Sequence, residues 1–123
     1  VLAYLDGVYK AENIPPRCRL LIFGFSQGVS IAARWVAKRQ LKCDHLVFYA
    51  GEVPREISAN DFKFLNQNQT KITVIVGNKD EYLTEQRLTD ISKRIQVVFE
   101  GRAEQLVFEG GHEVRKQIIN GLI

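Results

Sequence analysis

Apolar positions along this chain alternate between two spacings. Leu2, Leu5, Val8 and Tyr9 recur at helical intervals and predict a helix from Val1 to about Asn13, closed by Pro15-Pro16. Arg19 to Phe23 then carries the unbroken apolar run Leu20-Leu21-Ile22-Phe23, as expected of a strand buried on both faces of a parallel sheet. Val29, Ala32, Ala33, Val36 and Ala37 return to helical spacing, so a helix is expected from Gln27 to about Gln40. A second buried strand is expected at His45 to Ala50. Gly51 to Thr70 reads as irregular, with one short helix around Phe62 to Leu65. Ile72 to Val76 is β-branched or apolar throughout and predicts a third strand. Thr84 is a suitable N-cap for a helix spaced by Leu88, Ile91 and Ile95, and Val97-Val98-Phe99 fits either the end of that helix or a short strand. Gln105 to Phe108 predicts a fourth strand, and Glu113 to about Ile123 a last helix.

Strand and helix thus alternate four times, the grammar of a parallel α/β sheet with right-handed crossovers. In such sheets reactive groups gather at the carboxyl ends of strands. Those ends carry Ser26, Gly51, Asp80 and His112 in turn. Gly24-Phe25-Ser26-Gln27-Gly28 is G-x-S-x-G between a strand and a helix, the pattern of a nucleophile elbow. There a tight turn holds the serine hydroxyl clear of the sheet, and glycine is expected at both Gly24 and Gly28 to avoid collision.

Acyl transfer by serine needs a base, a carboxylate to orient it, and N–H donors for the oxyanion. Ser26, Asp80 and His112 stand in the chain order Ser…Asp…His of the α/β-hydrolase arrangement. Asp80 in Gly77-Asn78-Lys79-Asp80-Glu81 also suits a turn, with Glu81 as the rival acid, expected to be solvated. His45 opens a strand at the opposite end of the sheet and reads as structural. The backbone N–H of Gln27 is the candidate first oxyanion donor. The second normally comes from a loop after an earlier strand, and no His-Gly-type motif precedes Ser26. Phe25, Val53, Phe62, Phe64, Tyr82 and Leu83 lie near strand ends and are candidates to line an acyl pocket, although core packing accounts for most of them equally well.

Four segments together resemble the phospholipase/carboxylesterase family, which includes the acyl-protein thioesterases. Leu21 to Val29 resembles its G-F-S-Q-G elbow. Tyr49-Ala50-Gly51-Glu52-Val53-Pro54 resembles its small-Gly-x-x-Pro loop, Val76 to Asp80 its G-x-x-D acid turn, and Gly110-Gly111-His112-Glu113 its G-G-H loop. The resemblance covers nearly the whole chain but only the second half of a family member. It implies a single α/β-hydrolase domain over residues 1–123, lacking the first strands and the oxyanion loop. It also implies a serine esterase or thioesterase working through an acyl-serine intermediate on a small ester or thioester, with no cofactor and no metal. Gly51 to Thr70 looks unlike the thioesterases, so substrate preference is not implied. Two alternatives stand beside this one: a peptidase or acyltransferase using the same triad, and a non-catalytic domain that keeps the fold. The elbow of many α/β peptidases runs on with a further glycine after the helix-side one, where this chain has Val29, and the intact Ser, Asp and His argue against a dead relative.

Composition narrows these readings. The chain has 123 residues, 46% of them apolar, enough for one domain with a core and against disorder. Net charge is +3 with scattered basic residues. Arg34, Lys38 and Arg39 fall at helical spacing and read as a solvated face, not a nucleic-acid surface. No apolar stretch approaches the roughly 20 residues that cross a bilayer. Cys18 and Cys43 lack C-x-x-C spacing and read by default as free thiols of a reducing compartment, a bridge between the starts of neighbouring strands being the unsupported alternative; with no signal-peptide pattern visible, a cytoplasmic location is expected. Asn68-Gln69-Thr70 matches a glycosylation sequon but reads as a polar turn. The chain opens at Val1 and contains no methionine, so it is expected to be a piece of a longer protein, about 70–100 residues short of a closed core.

Overall fold

The computed structural model describes residues 1–15 and 17–122; Pro16 and Ile123, the expected helix stop and the end of the last helix, lie outside the described residues. Four strands, β1 (Leu21–Phe25), β2 (His45–Tyr49), β3 (Lys71–Gly77) and β4 (Glu104–Phe108), form one parallel sheet in the order β1-β2-β3-β4. The register aligns Phe25 with Tyr49, Tyr49 with Ile75, and Gly77 with Phe108, so the four carboxyl ends lie side by side. The helices are α1 (Leu2–Glu12), α2 (Gln27–Arg39), α3 (Lys63–Gln67), α4 (Glu85–Val98) and α5 (Lys116–Leu122), with a 3-10 turn at Ala59–Phe62 before α3.

Alternation along the strands splits the core into two layers. Leu46 and Phe48 of β2 and Ile72 and Val74 of β3 face Val29, Ala33 and Val36 of α2 and Ile91 and Ile95 of α4. Val47, Tyr49 and Ile75 point the other way, against Ile118, Ile119 and Leu122 of α5. The expected apolar periodicities of α2 and α4 therefore define their buried stripes. Thr84 caps α4 as expected, its hydroxyl accepting the Arg87 N–H at 3.3 Å, and Val97-Val98 belongs to the helix rather than to a strand. α1 buries no residue and is tied to α2 by polar contacts: the Trp35 indole donates to Asp6 at 2.9 Å and Arg39 pairs with the same carboxylate. That indole N–H holds the Asp6 carboxyl below its usual range.

β1 departs from the expected strand. It starts at Leu21 and runs to Phe25, and its burial alternates, with Leu21 38% and Phe23 37% exposed. β1 is an edge of the sheet among the described residues, and α5 covers β2 and β3 more fully than it covers β1, so one face of β1 is half open instead of buried. Both cysteines are free; Cys18 is exposed, and burial pushes the Cys43 thiol up to about 11. Among the described residues, no helix is long and apolar enough to cross a membrane.

Candidate active site

Ser26 sits between β1 and α2 with φ 58° and ψ −118°, a backbone region rarely occupied by a residue with a side chain. Its surroundings enforce that conformation. The Ser26 N–H donates to the Tyr49 carbonyl at 2.8 Å, continuing the β1–β2 ladder, and its carbonyl accepts from the Val29 N–H at 3.1 Å. A Cβ on Gly24 would lie 2.5 Å from the Gly28 carbonyl oxygen and 2.9 Å from Val29 Cα, so glycine is required there. Gly28 differs from expectation: a Cβ there meets nothing within 4 Å, because helix α2 turns it away from the strand. Steric demand at this elbow falls on Gly24 and on Gly51 of the loop after β2, where a Cβ would collide with the Ser26 carbonyl oxygen.

Asp80 and His112 arrive on two loops stitched together. The Asn78 N–H donates to the Phe108 carbonyl at 2.9 Å, the Lys79 N–H to the Gly110 carbonyl at 2.8 Å, and the Gly110 N–H to Asn78 Oδ1 at 3.2 Å. Gly77 lies so close to this loop that a Cβ would fall 2.5 Å from the Gly110 carbonyl oxygen. At the exit of the histidine loop the Tyr49 hydroxyl accepts the Arg115 N–H at 3.0 Å.

The result is a continuous chain of contacts. His112 Nε2 lies 2.9 Å from Ser26 Oγ, and His112 Nδ1 lies 2.7 Å from Asp80 Oδ2. The other oxygen of Asp80 accepts the Tyr82 N–H at 2.9 Å, and the carboxylate side chain is fully shielded from solvent. An Nδ1–H donated to Asp80 leaves Nε2 to accept the serine proton. Glu81 is exposed. His45 is at the far end of β2, its Nε2 2.8 Å from Thr73 Oγ1 in the core.

Ser26 and His112 open onto a cleft of about 490 Å³ that Gln27, Gly51, Leu83 and Arg87 also line. Gln27 begins α2, where amide groups have no intrahelical acceptor. Of the six apolar residues singled out by sequence, Tyr82 and Leu83 line this cleft. Phe25 and Tyr82 pack against the His112 ring, at centroid distances of 5.1 and 4.9 Å. Val53 lines a neighbouring cavity, Phe62 stacks on Phe99 inside the core, and Phe64 packs against that core. Sequence reasoning did not single out Arg87 or the Tyr49 hydroxyl. Arg87 reads as an ordinary residue of a helix first turn, and Tyr49 as one more apolar strand position.

Sheet order, crossovers and the elbow define an α/β-hydrolase. The chain belongs to the serine hydrolase (FSH1) family, whose model matches residues 8–117. Its fold is similar to that of acyl-protein thioesterase 2 from Zea mays (TM-score 0.68, 12% identity, 98% of this chain and 59% of that one). It is also similar to a phospholipase/carboxylesterase from Dyadobacter fermentans (TM-score 0.64, 22% identity, 98% and 60%). A third similar fold is the Bacillus cereus carboxylesterase (TM-score 0.62, 15% identity, 98% and 54%). The resemblance read from the four sequence segments is thus matched at the level of fold. The chain spans 59% of the first of these structures and 60% of the second. Comparison with curated proteins gave no match.

Proposed function

We propose that this protein hydrolyses carboxylic esters or thioesters through an acyl-serine intermediate, with Ser26 as nucleophile, His112 as general base and acid, and Asp80 as its orienting carboxylate. The observation that carries this reading is the run of contacts from Ser26 Oγ through both ring nitrogens of His112 to a shielded carboxylate. Membership of a serine hydrolase family and the esterase and thioesterase names of similar folds support it.

In this mechanism Ser26 Oγ attacks the carbonyl carbon while its proton passes to His112 Nε2. The oxygen that gains charge faces the Gln27 N–H at the positive end of α2. Collapse of the tetrahedral intermediate expels the alcohol or thiol, which takes the proton from His112. Water then gives a proton to His112 and attacks the acyl-serine, releasing the acid and restoring the Ser26 hydroxyl. Asp80 keeps the imidazole in the tautomer both half-reactions need.

The full-length protein should label stoichiometrically with a fluorophosphonate and turn over p-nitrophenyl esters. Ser26→Ala should abolish labelling and lower kcat by about 10³-fold or more. A Ser26→Ala protein with near wild-type esterase turnover would overturn the assignment.

A further inference from the structure

We infer that the preferred substrate carries a carboxylate a few bonds from the scissile carbonyl, and that Arg87 is the residue that recognises it. This inference rests on the reading of Ser26 as nucleophile. Glu52 and Arg87 line both the Ser26 cleft and an adjoining cavity of about 400 Å³ between α4 and the loop after β2. The charges of that second cavity are uneven. Arg55, Arg87 and Arg94 face Glu52 and Asp90, over a floor of Val53, Ile91 and Ile95.

The geometry already contains a carboxylate in the proposed seat. Arg87 Nη2 donates to Glu52 Oε1 at 2.9 Å, and Arg87 Nε donates to the same oxygen at 3.3 Å. Arg87 is held independently of Glu52, since its Nη1 donates to the Tyr82 carbonyl at 3.3 Å and its own backbone N–H is capped by Thr84. Both side chains of the pair are about half exposed, at 52% and 46%. An exposed pair of this kind contributes little to stability, so a substrate carboxylate can take the place of Glu52 at low cost. Asp90 is engaged by Gln86 instead of an arginine. Arg55 has no ion-pair partner among the described residues, and the Arg94 guanidinium pairs with no carboxylate among them, its Nη2 donating instead to the Pro54 and Ile57 carbonyls at 2.7 and 2.6 Å. The walls around the Glu52–Arg87 pair therefore have cationic capacity to spare. Glu52 acts as a resident competitor that an anionic substrate displaces and a neutral ester does not.

The test uses the full protein and two matched pairs of esters. Mono-p-nitrophenyl adipate against p-nitrophenyl hexanoate places the carboxylate on the acyl side. 4-Carboxyphenyl hexanoate against phenyl hexanoate places it on the leaving-group side. In at least one pair, the kcat/KM ratio of carboxylate to neutral ester should fall about 10-fold in Arg87→Gln, the order expected for loss of a charge-assisted contact. Arg87→Lys should give an intermediate ratio, and added salt should narrow the wild-type preference. Glu52→Gln should lower KM for the favoured carboxylate ester. Ratios unchanged by Arg87→Gln in both pairs, or by Arg87→Lys and salt should the first variant fail to fold, overturn the inference while leaving the hydrolase reading intact. Absence of turnover on all four esters together with absence of fluorophosphonate labelling overturns both.

Discussion

At Asp80 one oxygen meets His112 Nδ1 and the other meets the Tyr82 N–H, so in the proposed mechanism one carboxylate both orients the base and closes its own turn. Asp80→Asn keeps the shape but presents an amide where the ring needs an acceptor, and it should lower kcat by about 10⁴-fold while the fold survives. Circular dichroism beside esterase kinetics checks both halves of that expectation. Glu81→Gln, one residue along, should leave kcat within about two-fold, since Glu81 is exposed. His45 offers a different residue-scale test. Burial, then the charges of Lys71 and Arg19, hold its imidazole below the ordinary value of 6.5, with Glu104 opposing. The folded state therefore favours the neutral ring more than the unfolded chain does. Stability should be full above about pH 6.5 and decline as pH falls below it, because the unfolded state then binds the extra proton. Urea midpoints at pH 7.5 and 5.5 should differ in that direction, and His45→Gln should flatten the difference.

Element boundaries show where patterning succeeds and where a single side chain overrides it. β2 and β3 were legible because continuous apolar runs have no other home in a small domain, and α2 and α4 because their stripes repeat at the helical period. β1 begins two residues later than the expected strand start at Arg19 and one later than its apolar run, which opens at Leu20. The Leu20 N–H is taken by the Asp44 side chain, and the Leu20 carbonyl accepts the Asp44 and His45 N–H groups, so that pairing closes the end of the ladder instead of extending it. α5 starts at Lys116 rather than Glu113 because the Arg115 N–H is committed to Tyr49, while the Arg115 carbonyl accepts from Ile118 and Ile119. That Ser26, Asp80 and His112 come together was legible because strand ends mark their positions; Arg87 was not, because its partner Glu52 is set by loop conformation, which periodicity does not encode. Gly77, at the end of β3, ties two such loops. Gly77→Ala should force the 110–111 backbone away from the acid turn, costing about 1–3 kcal/mol as an overpacked site does. It should lower kcat more than it raises KM, as read from thermal melts and steady-state kinetics.

On the scale of the molecule, the two faces of the sheet are unequally covered. The open edge and half-exposed Leu21 and Phe23 of β1 lead us to propose that further strands and a second oxyanion donor come from residues outside 1–123. Residues 1–123 expressed alone should then be poorly soluble, and any soluble fraction should be at least 10²–10³-fold less active than the full protein, the usual loss for one oxyanion donor. A soluble, cooperatively unfolding, fully active monomer of that segment would refute this. The same sheet order has a consequence for synthesis. Ser26 and His112 touch across 86 positions of sequence, with β2, β3 and β4 and their crossovers between them. At ribosomal speeds of about 5–20 residues per second, Ser26 waits roughly 4–17 s for His112 to be made. On the proposed mechanism Ser26 is an ordinary alcohol throughout that interval, so esterase activity arises only after the histidine loop that follows β4 is in place.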